Sequence, residues 1–289
     1  MANLKEIRSR IKSVKSIQKV TKAMKMVAAA KLRKSQENME QARPYAERLN
    51  NLIGDLIDGI NKPVLELLSS KKVVTNIGFI IVTADRGLAG SFNTNIIKKA
   101  EQEIKQYNKK NIKIFCIGKK GYEYFSKQGY KIEKYYVDFW NKLTFDIASE
   151  ISNDIIASFL NHSIDKAQVI YNYFKNVATQ QVQSEIFLPI QPIHKSNEVN
   201  NKFTDILYEP SEEKLLKLLI PKHLNTQVWK YLLESFASEQ GSRMIAMENA
   251  TVNAGDMISE LTLEFNKARQ TAITTEMLEI VGGAEALSN

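Results

Sequence analysis

The stretch KVTKAMKMVAAAKLRKSQ, residues 19–36, sets apolar residues at helical spacing and fills most of the remaining positions with Lys19, Lys22, Lys25, Lys31, Arg33 and Lys34. Working outward, Leu4, Ile7, Ile11, Val14, Ile17, Val20, Met24 and Val27 lie on the same rhythm. It resumes at Leu32, Ser35, Met39, Ala42, Ala46, Leu49, Ile53, Leu56 and Ile60. Steps of three and four that average near 3.5 describe a coiled-coil seam rather than the broad apolar face of a globular helix. The extra three-residue step around Ile17 predicts a stammer. Pro44, which lacks a backbone donor, is expected to kink or briefly interrupt the helix.

The other end of the chain has the same texture. No proline occurs from Lys222 to Asn289, and Trp229, Leu232, Phe236, Met247, Ala250, Ala254, Met257, Leu261, Phe265, Ala268 and Ala272 repeat the three–four rhythm. Small residues on both seams (Ala28, Ala250, Ala254, Ala268) favour close approach, so the first and last helices are expected to pair antiparallel. Between them the pattern changes. IGFIIVT (77–83), IKIFCIG (112–118), YKIEKYY (130–136), QVIYNYF (168–174) and VQSEIFLPI (182–190) read as strands. Helices are expected near 91–106, through Phe125, and near 145–160. Strands alternating with helices argue a mainly parallel α/β domain, and 189–210 reads as loop and return strand. The domains are therefore drawn at 1–60, 73–209 and 211–289. A helix of about 57 residues would be roughly 85 Å long. A domain of about 140 residues has a radius of gyration near 14 Å and cannot cover it; such a helix pair implies a partner.

Charge is concentrated. Eleven Lys and Arg stand against the single acid Glu6 in residues 1–34, so this segment carries +10 of a net +8 and the rest sums to −2. Cys116 is the only cysteine, which excludes an internal disulfide and suits a reducing compartment. No apolar run approaches the roughly 20 residues of a membrane span.

Catalytic motifs are weak. TADRGLAGSFN (83–93) follows a strand and opens a helix, the place for a phosphate-binding turn. It lacks both G-x-G-x-x-G and the Lys-Ser/Thr of a P-loop, and reads as a tight turn. GKKG (118–121) reads as a basic turn. His162, His194 and His223 lack metal spacing, and Cys116 sits inside a strand as inert core. No catalytic residue, cofactor or metal is expected. The basic helix could be a solvated face, a nucleic-acid arm or a surface for an acidic protein partner. No Phe, Tyr or Trp precedes Tyr45, so base stacking has no platform and the protein partner ranks ahead of nucleic acid.

Both ends, MANLKEIRSRIKSVKSIQKVTKAMKMVAAAKLRK and SEQGSRMIAMENATVNAGDMISELTLEFNKARQTAITTEMLEIVGGAEAL, resemble the termini of γ subunits of F-type ATP synthases. DRGLAGSFN (85–93) and, more weakly, YEP (208–210) match further motifs of that family; Val252 departs from the acid expected after "AT". The resemblance implies an antiparallel coiled coil with an inserted Rossmann-like α/β domain. It also implies a central-stalk rotor coupling proton flow through a membrane rotor ring to a hexameric ring of catalytic and non-catalytic subunits, with an ε subunit at the foot. The chain itself would be non-catalytic, peripheral on the cytoplasmic face of a bacterial inner membrane, and without nucleic acid. Lys19, Lys22, Met24 and Lys25 would face acidic loops of the catalytic subunits, with Glu239 and Arg243 on the opposing helix. Ala89, small and between Gly87 and Gly90, would lie beside a catalytic subunit's lower lip and be reachable there. Arg269 and Gln270, with Thr274 and Glu276, would meet a catch loop. Residues 280–287 would run in an apolar sleeve, and Tyr208 and Glu209 would touch the rotor ring.

Overall fold

The computed structural model describes residues 4–58, 66–69, 71, 74–177, 179–190, 209 and 211–288. In chain order these form α1 (Leu4–Asp58), β1 (Ile77–Val82), α2 (Phe92–Ile104), β2 (Ile112–Ile117) and α3 (Lys119–Lys127). Then come β3 (Ile132–Tyr136), α4 (Phe145–Leu160), β4 (Lys166–Phe174), β5 (Gln180–Leu188) and α5 (Glu212–Ser288). By contact the chain divides into two compact units, residues 29–243 and residues 1–28 with 244–289.

The larger unit is built on one five-stranded sheet in the order β3-β2-β1-β4-β5. β1 pairs in parallel with β2 and β4, and β2 with β3. β5 follows β4 after a short connection and so runs antiparallel, with Asn172 opposite Val182. The all-apolar IGFIIV of β1 is buried along its whole length, because a central parallel strand is covered on both faces. Side chains alternate: Ile77, Phe79 and Ile81 pack with Ile96, Ala100 and Ile104 of α2 and Phe125 of α3. Ile80 and Val82 pack with Ile151 and Ile155 of α4 and Val228 and Leu232 of α5. Each such side chain contributes about 1.5–3 kcal/mol by leaving water, so this two-sided core dominates the fold. α5 starts cleanly: Ser211 Oγ accepts from the Lys214 amide at 3.4 Å, and Glu212 and Glu213 lie in the first turn, where the helix dipole favours acids. Within this unit α1 and α5 run antiparallel, because Ser35 Oγ donates to Leu233 O (3.2 Å) while Asn50, further along α1, meets Gln227 (3.2 Å), earlier on α5.

Pro44 lies inside α1 without ending it, and Pro221 likewise inside α5. A proline removes one hydrogen bond locally; beyond Pro44, burial of Leu49, Ile53 and Leu56 keeps the helix on its course. The expected interruption is absent. The segment 191–208, read as loop and return strand, lies outside the described residues.

The smaller unit pairs the start of α1 with the end half of α5. Thr21 Oγ1 and Thr251 Oγ1 share a 2.8 Å hydrogen bond, Gln18 Nε2 donates to Thr251 O at 3.5 Å, and Lys25 forms an ion pair with Glu248. Partners ascend on one helix as they descend on the other, so this pair too is antiparallel. Its seam differs from the expected one. Ile7, Thr21 and Ala28 are buried and Ile11, Val14, Gln18 and Lys25 half-buried, whereas Ile17 and Val20 are each 55% exposed and Val27 56%. The steps 7-11-14-18-21-25-28 alternate four and three without a break, so there is no stammer. The spacing of the greasiest residues misleads here because the seam holds small and polar residues. On α5, Met247 and Ala254 are buried, and Ile258, Leu261, Phe265 and Ala268 half-buried. Met257, expected on this seam, is 50% exposed.

Candidate partner-binding surface and the turn 83–93

In an open α/β sheet, ligands bind at the carboxyl ends of strands where the order reverses. Here the order reverses between β1 and β4, and the residues that follow β1 are tied to the end of β2 and the start of α3. After β1, Thr83 Oγ1 donates to Ile117 O (3.1 Å) and accepts from the Gly121 amide (2.9 Å). Gly118 stands at φ +95°, and a Cβ there would lie 2.0 Å from Thr83 O; its glycine serves close packing. The Asp85 carboxylate accepts from the amides of Lys119 and Asp138, both at 2.8 Å. It therefore occupies the N-terminus of α3, where an anion would otherwise sit. The Ala84 amide donates to Asn93 Oδ1 (2.9 Å). From α5, Ser238 Oγ donates to Asn172 O at the end of β4 (3.2 Å), and Ser242 Oγ hydrogen-bonds Gln180 Oε1 (2.8 Å).

Arg243 locks this arrangement. Its Nη1 donates to Gly87 O at 2.6 Å, and Nη2 pairs with Glu239 one helical turn back. Glu239 is 6% exposed; burial pushes its carboxyl up, opposed by the adjacent Arg243 and by Lys31. Above this anchored base, Leu88 adopts φ +64° and is 68% exposed. Ala89, expected to be reachable, is only 2% exposed and packs with the α2 core. The left-handed turn that lifts Leu88 outward sends the next side chain in. Cys116 is sealed in β2 and its thiol is pushed up to about 12 by burial. His223 is buried and pushed down to about 4 by the same cause, while His162 is exposed. His194 lies outside the described residues.

The smaller unit is open. Lys12, Lys15, Lys19 and Lys22 are exposed on α1 beside Ile17 and Val20. On α5, every described side chain from Arg269 to Ala284 is exposed, including Ile273, Met277, Leu278, Ile280 and Val281. The pairing places Thr21 by Thr251 and Lys25 by Glu248, so Leu4, the first described residue of α1, comes level with about 268. Beyond that level α5 continues without α1 beside it.

The ATP synthase family model matches residues 3–287. The ATP synthase gamma chain of Chloroherpeton thalassium is 48% identical over 300 residues, covering 99% of both chains. That of Cytophaga hutchinsonii is 45% identical over 300 residues and covers all of both. The chain belongs to the ATP synthase gamma chain family. Among solved structures, a chain of the Tetrahymena thermophila mitochondrial ATP synthase central stalk and c-ring has 25% identity and a TM-score of 0.61. It covers 80% of this chain and 99% of its own length. A chain of the Euglena gracilis mitochondrial ATP synthase matches the fold with a TM-score of 0.70 at 19% identity, covering 98% and 94%.

For this family member, the residues singled out by sequence fall into four groups. Lys19, Lys22, Arg269, Gln270, Thr274 and Glu276 are exposed. Met24 is half-buried, and Lys25 is committed to Glu248. Glu239 and Arg243 join the 83–93 turn. Glu209 is exposed, while Tyr208 lies outside the described residues. Sequence reasoning missed the Arg243–Gly87 contact, which links positions 156 residues apart and leaves no periodic trace. It also missed the polar seam at Gln18, Thr21 and Lys25, which counting sevens back from Leu32 and Ser35 would have found.

Proposed function

We propose that this chain works as the torque-carrying, non-catalytic shaft of its complex. As a gamma chain it is the central-stalk rotor subunit of an F-type ATP synthase, a subunit of a multi-subunit, membrane-associated enzyme. Among the described residues no helix is long and apolar enough to cross a membrane. The observation that carries the reading is the end of α5: residues 269–284 are exposed on every side, yet five of them are large and apolar. An uncovered helix of this length is marginal in water, so it needs an enclosing sleeve. The hexameric ring of catalytic and non-catalytic subunits supplies that sleeve. Arg269, Gln270, Thr274 and Glu276 present polar groups to it, and Lys19 and Lys22 face acidic loops of successive catalytic subunits. Solvent-exposed charge pairs are individually weak, which suits contacts that break and re-form during turning. The α/β unit meets the ε subunit and the membrane rotor ring, with Tyr208 and Glu209 at the ring, on the cytoplasmic face of a bacterial inner membrane; proton flow drives the rotation. We assign the chemistry to the partners: the turn after β1 already holds its own carboxylate, Asp85, on the Lys119 amide that opens α3, which supports this reading.

The test is a reversible lock. Leu88→Cys, with Cys116→Ser as background, is paired in the assembled complex with a cysteine in the catalytic subunit's acidic loop. A disulfide forms where Cα atoms come within about 7 Å. Oxidation should stop multi-site ATP hydrolysis and reduction restore it. High-yield cross-linking with full activity retained rules out rotation at this position.

A further inference from the structure

Within the larger unit, α1, α5 and β4 frame an open-mouthed cavity of about 260 Å³. That is about nine times the roughly 30 Å³ share of a liquid water, close to the lower end for small-molecule sites. Its walls are Met39, Ala42 and Ala46 of α1, Tyr173 of β4, and Trp229 and Leu233 of α5. One polar group in the lining is unmet: Glu234 is 5% exposed, and its Oε2 has no hydrogen-bond partner. Among the described residues no ion pair reaches this carboxylate. A buried carboxylate without a partner is costly, and native structures rarely leave one so.

The other carboxylate nearby does not relieve it. Glu185 of β5 is already engaged by the hydroxyls of Tyr171 (2.8 Å) and Tyr231 (3.0 Å), and its charge opposes ionisation of Glu234. Arg43 and Glu47 of α1 and Lys230 of α5 also line the cavity; their charges sum with that of Glu234 to zero, so a cation meets no net repulsion. Glu234 is the one carboxylate in the lining that is both buried and unmatched. Two aromatic side chains, Trp229 and Tyr173, add rings that attract cations.

We propose that this cavity binds a small protonated amine carried on a flat apolar body, the ammonium meeting Glu234 and the body lying against Trp229, Met39 and Leu233. A neutral ligand of the same shape would fill the walls but leave the carboxylate unmatched. An anion would bring a second negative charge to it.

Phenethylamine is the probe, titrated into the full chain at pH 8 while the two indole N–H signals are followed by NMR. The Trp229 signal should shift saturably with a Kd of about 1 mM or tighter, and the Trp140 signal should stay. Glu234→Gln should weaken binding by at least about tenfold, as should replacing the probe by neutral 3-phenylpropanol. Ala46→Leu, which fills the cavity without touching its charges, should abolish the shift while circular dichroism stays native. Burial pushes Glu234 up to about 7, against the charges of Lys230 and Arg43 and with that of Glu185. Affinity should therefore fall between pH 8 and pH 6 as the carboxylate takes up a proton. Equal affinity in Glu234→Gln, equal binding of the alcohol, or no saturation by about 10 mM each overturns the proposal.

Discussion

The two units of this chain solve opposite problems with the same material. In residues 29–243 the central strand is sealed on both faces, and Phe79, Ile81, Ile114 and Phe115 are each 0% exposed. In residues 1–28 with 244–289, the buried seam positions on α1 are Ile7, Thr21 and Ala28, while Ile17, Val20 and Val27 face outward. The first region seals its sheet core, with isolated exceptions such as Leu88 and Leu218 at the surface. The second spends small and polar residues on its own pairing and leaves larger apolar ones, with a basic wall, exposed. A folded core and a partner surface thus differ less in composition than in which residues the chain's own seam consumes.

The comparison is strained most by a cavity in the first region. Phe115→Ala removes a fully buried ring from the sheet core and should cost about 3–5 kcal/mol. Trp140 and Trp229 both lie in this unit, so urea unfolding followed by tryptophan fluorescence reports on it directly. A loss under about 1 kcal/mol would mean that the core is less closely packed than its burial implies.

Next in size is the Arg243 lock. Arg243→Ala takes the donor from Gly87 O and strands Glu239, whose side chain is only 8% exposed. Removing one member of a buried pair costs about 3–5 kcal/mol; with Arg243 reaching the surface at Gly87, about 3 is expected. Adding Glu239→Gln should recover part of that, because the stranded charge is gone. If the double variant is no more stable than the single one, the pair contributes through packing rather than charge.

Asp165 tests pH dependence in the same unit. Burial pushes its carboxyl up, but the amides of Asn76 (2.8 Å) and Thr75 (3.0 Å) and the Lys71 ammonium (2.6 Å) outweigh this and hold it below the ordinary value. A folded pKa below the unfolded value of about 3.9 stabilises the fold above that pH, and the gain is lost as pH falls through the folded pKa. Asp165→Asn should therefore cost about 1–2 kcal/mol at pH 7. Its deficit against the parent should shrink toward pH 3. A deficit independent of pH would assign Asp165 a purely steric role.

How much of this was legible follows from where the information sits. Strand and helix positions in the sheet came through because alternation and run length are local: IGFIIV reads as a buried strand wherever it is placed. The family ends were legible residue by residue, since SEQGSRMIAMENATVNAG and ITTEMLEIVGGAEAL are long motifs. The seam of the smaller unit was misread because its pattern is defined by size, not greasiness. Thr21 and Ala28 pack where Val20 and Val27 were expected, and only the phase carried back from Leu32 and Ser35 distinguishes the two. Ala89 was misread for another reason. Backbone handedness at Leu88 decides which neighbour points out, and no residue type announces a positive φ at leucine. Contacts such as Arg243 to Gly87 depend on tertiary placement alone.

The smallest expected effect tests that corrected seam. Changing Ile17, Val20 and Val27 together to Ser alters three positions that are each more than half exposed. Ser and Val have similar helix propensities, so helix content by circular dichroism should hold and stability should change by no more than about 0.5 kcal/mol. Were these residues the seam, the triple change would remove three buried apolar side chains at about 1.5 kcal/mol or more each, and the N-terminal helix would fray. Thr21 and Ala28, untouched by the change, keep their packing in either case. On the proposed shaft reading, in which exposed apolar residues of this region meet the ring, the same variant should also bind the catalytic ring more weakly. Unchanged helicity with lost association is the signature of a surface completed from outside. Lost helicity would return these three residues to the seam and bring back the stammer.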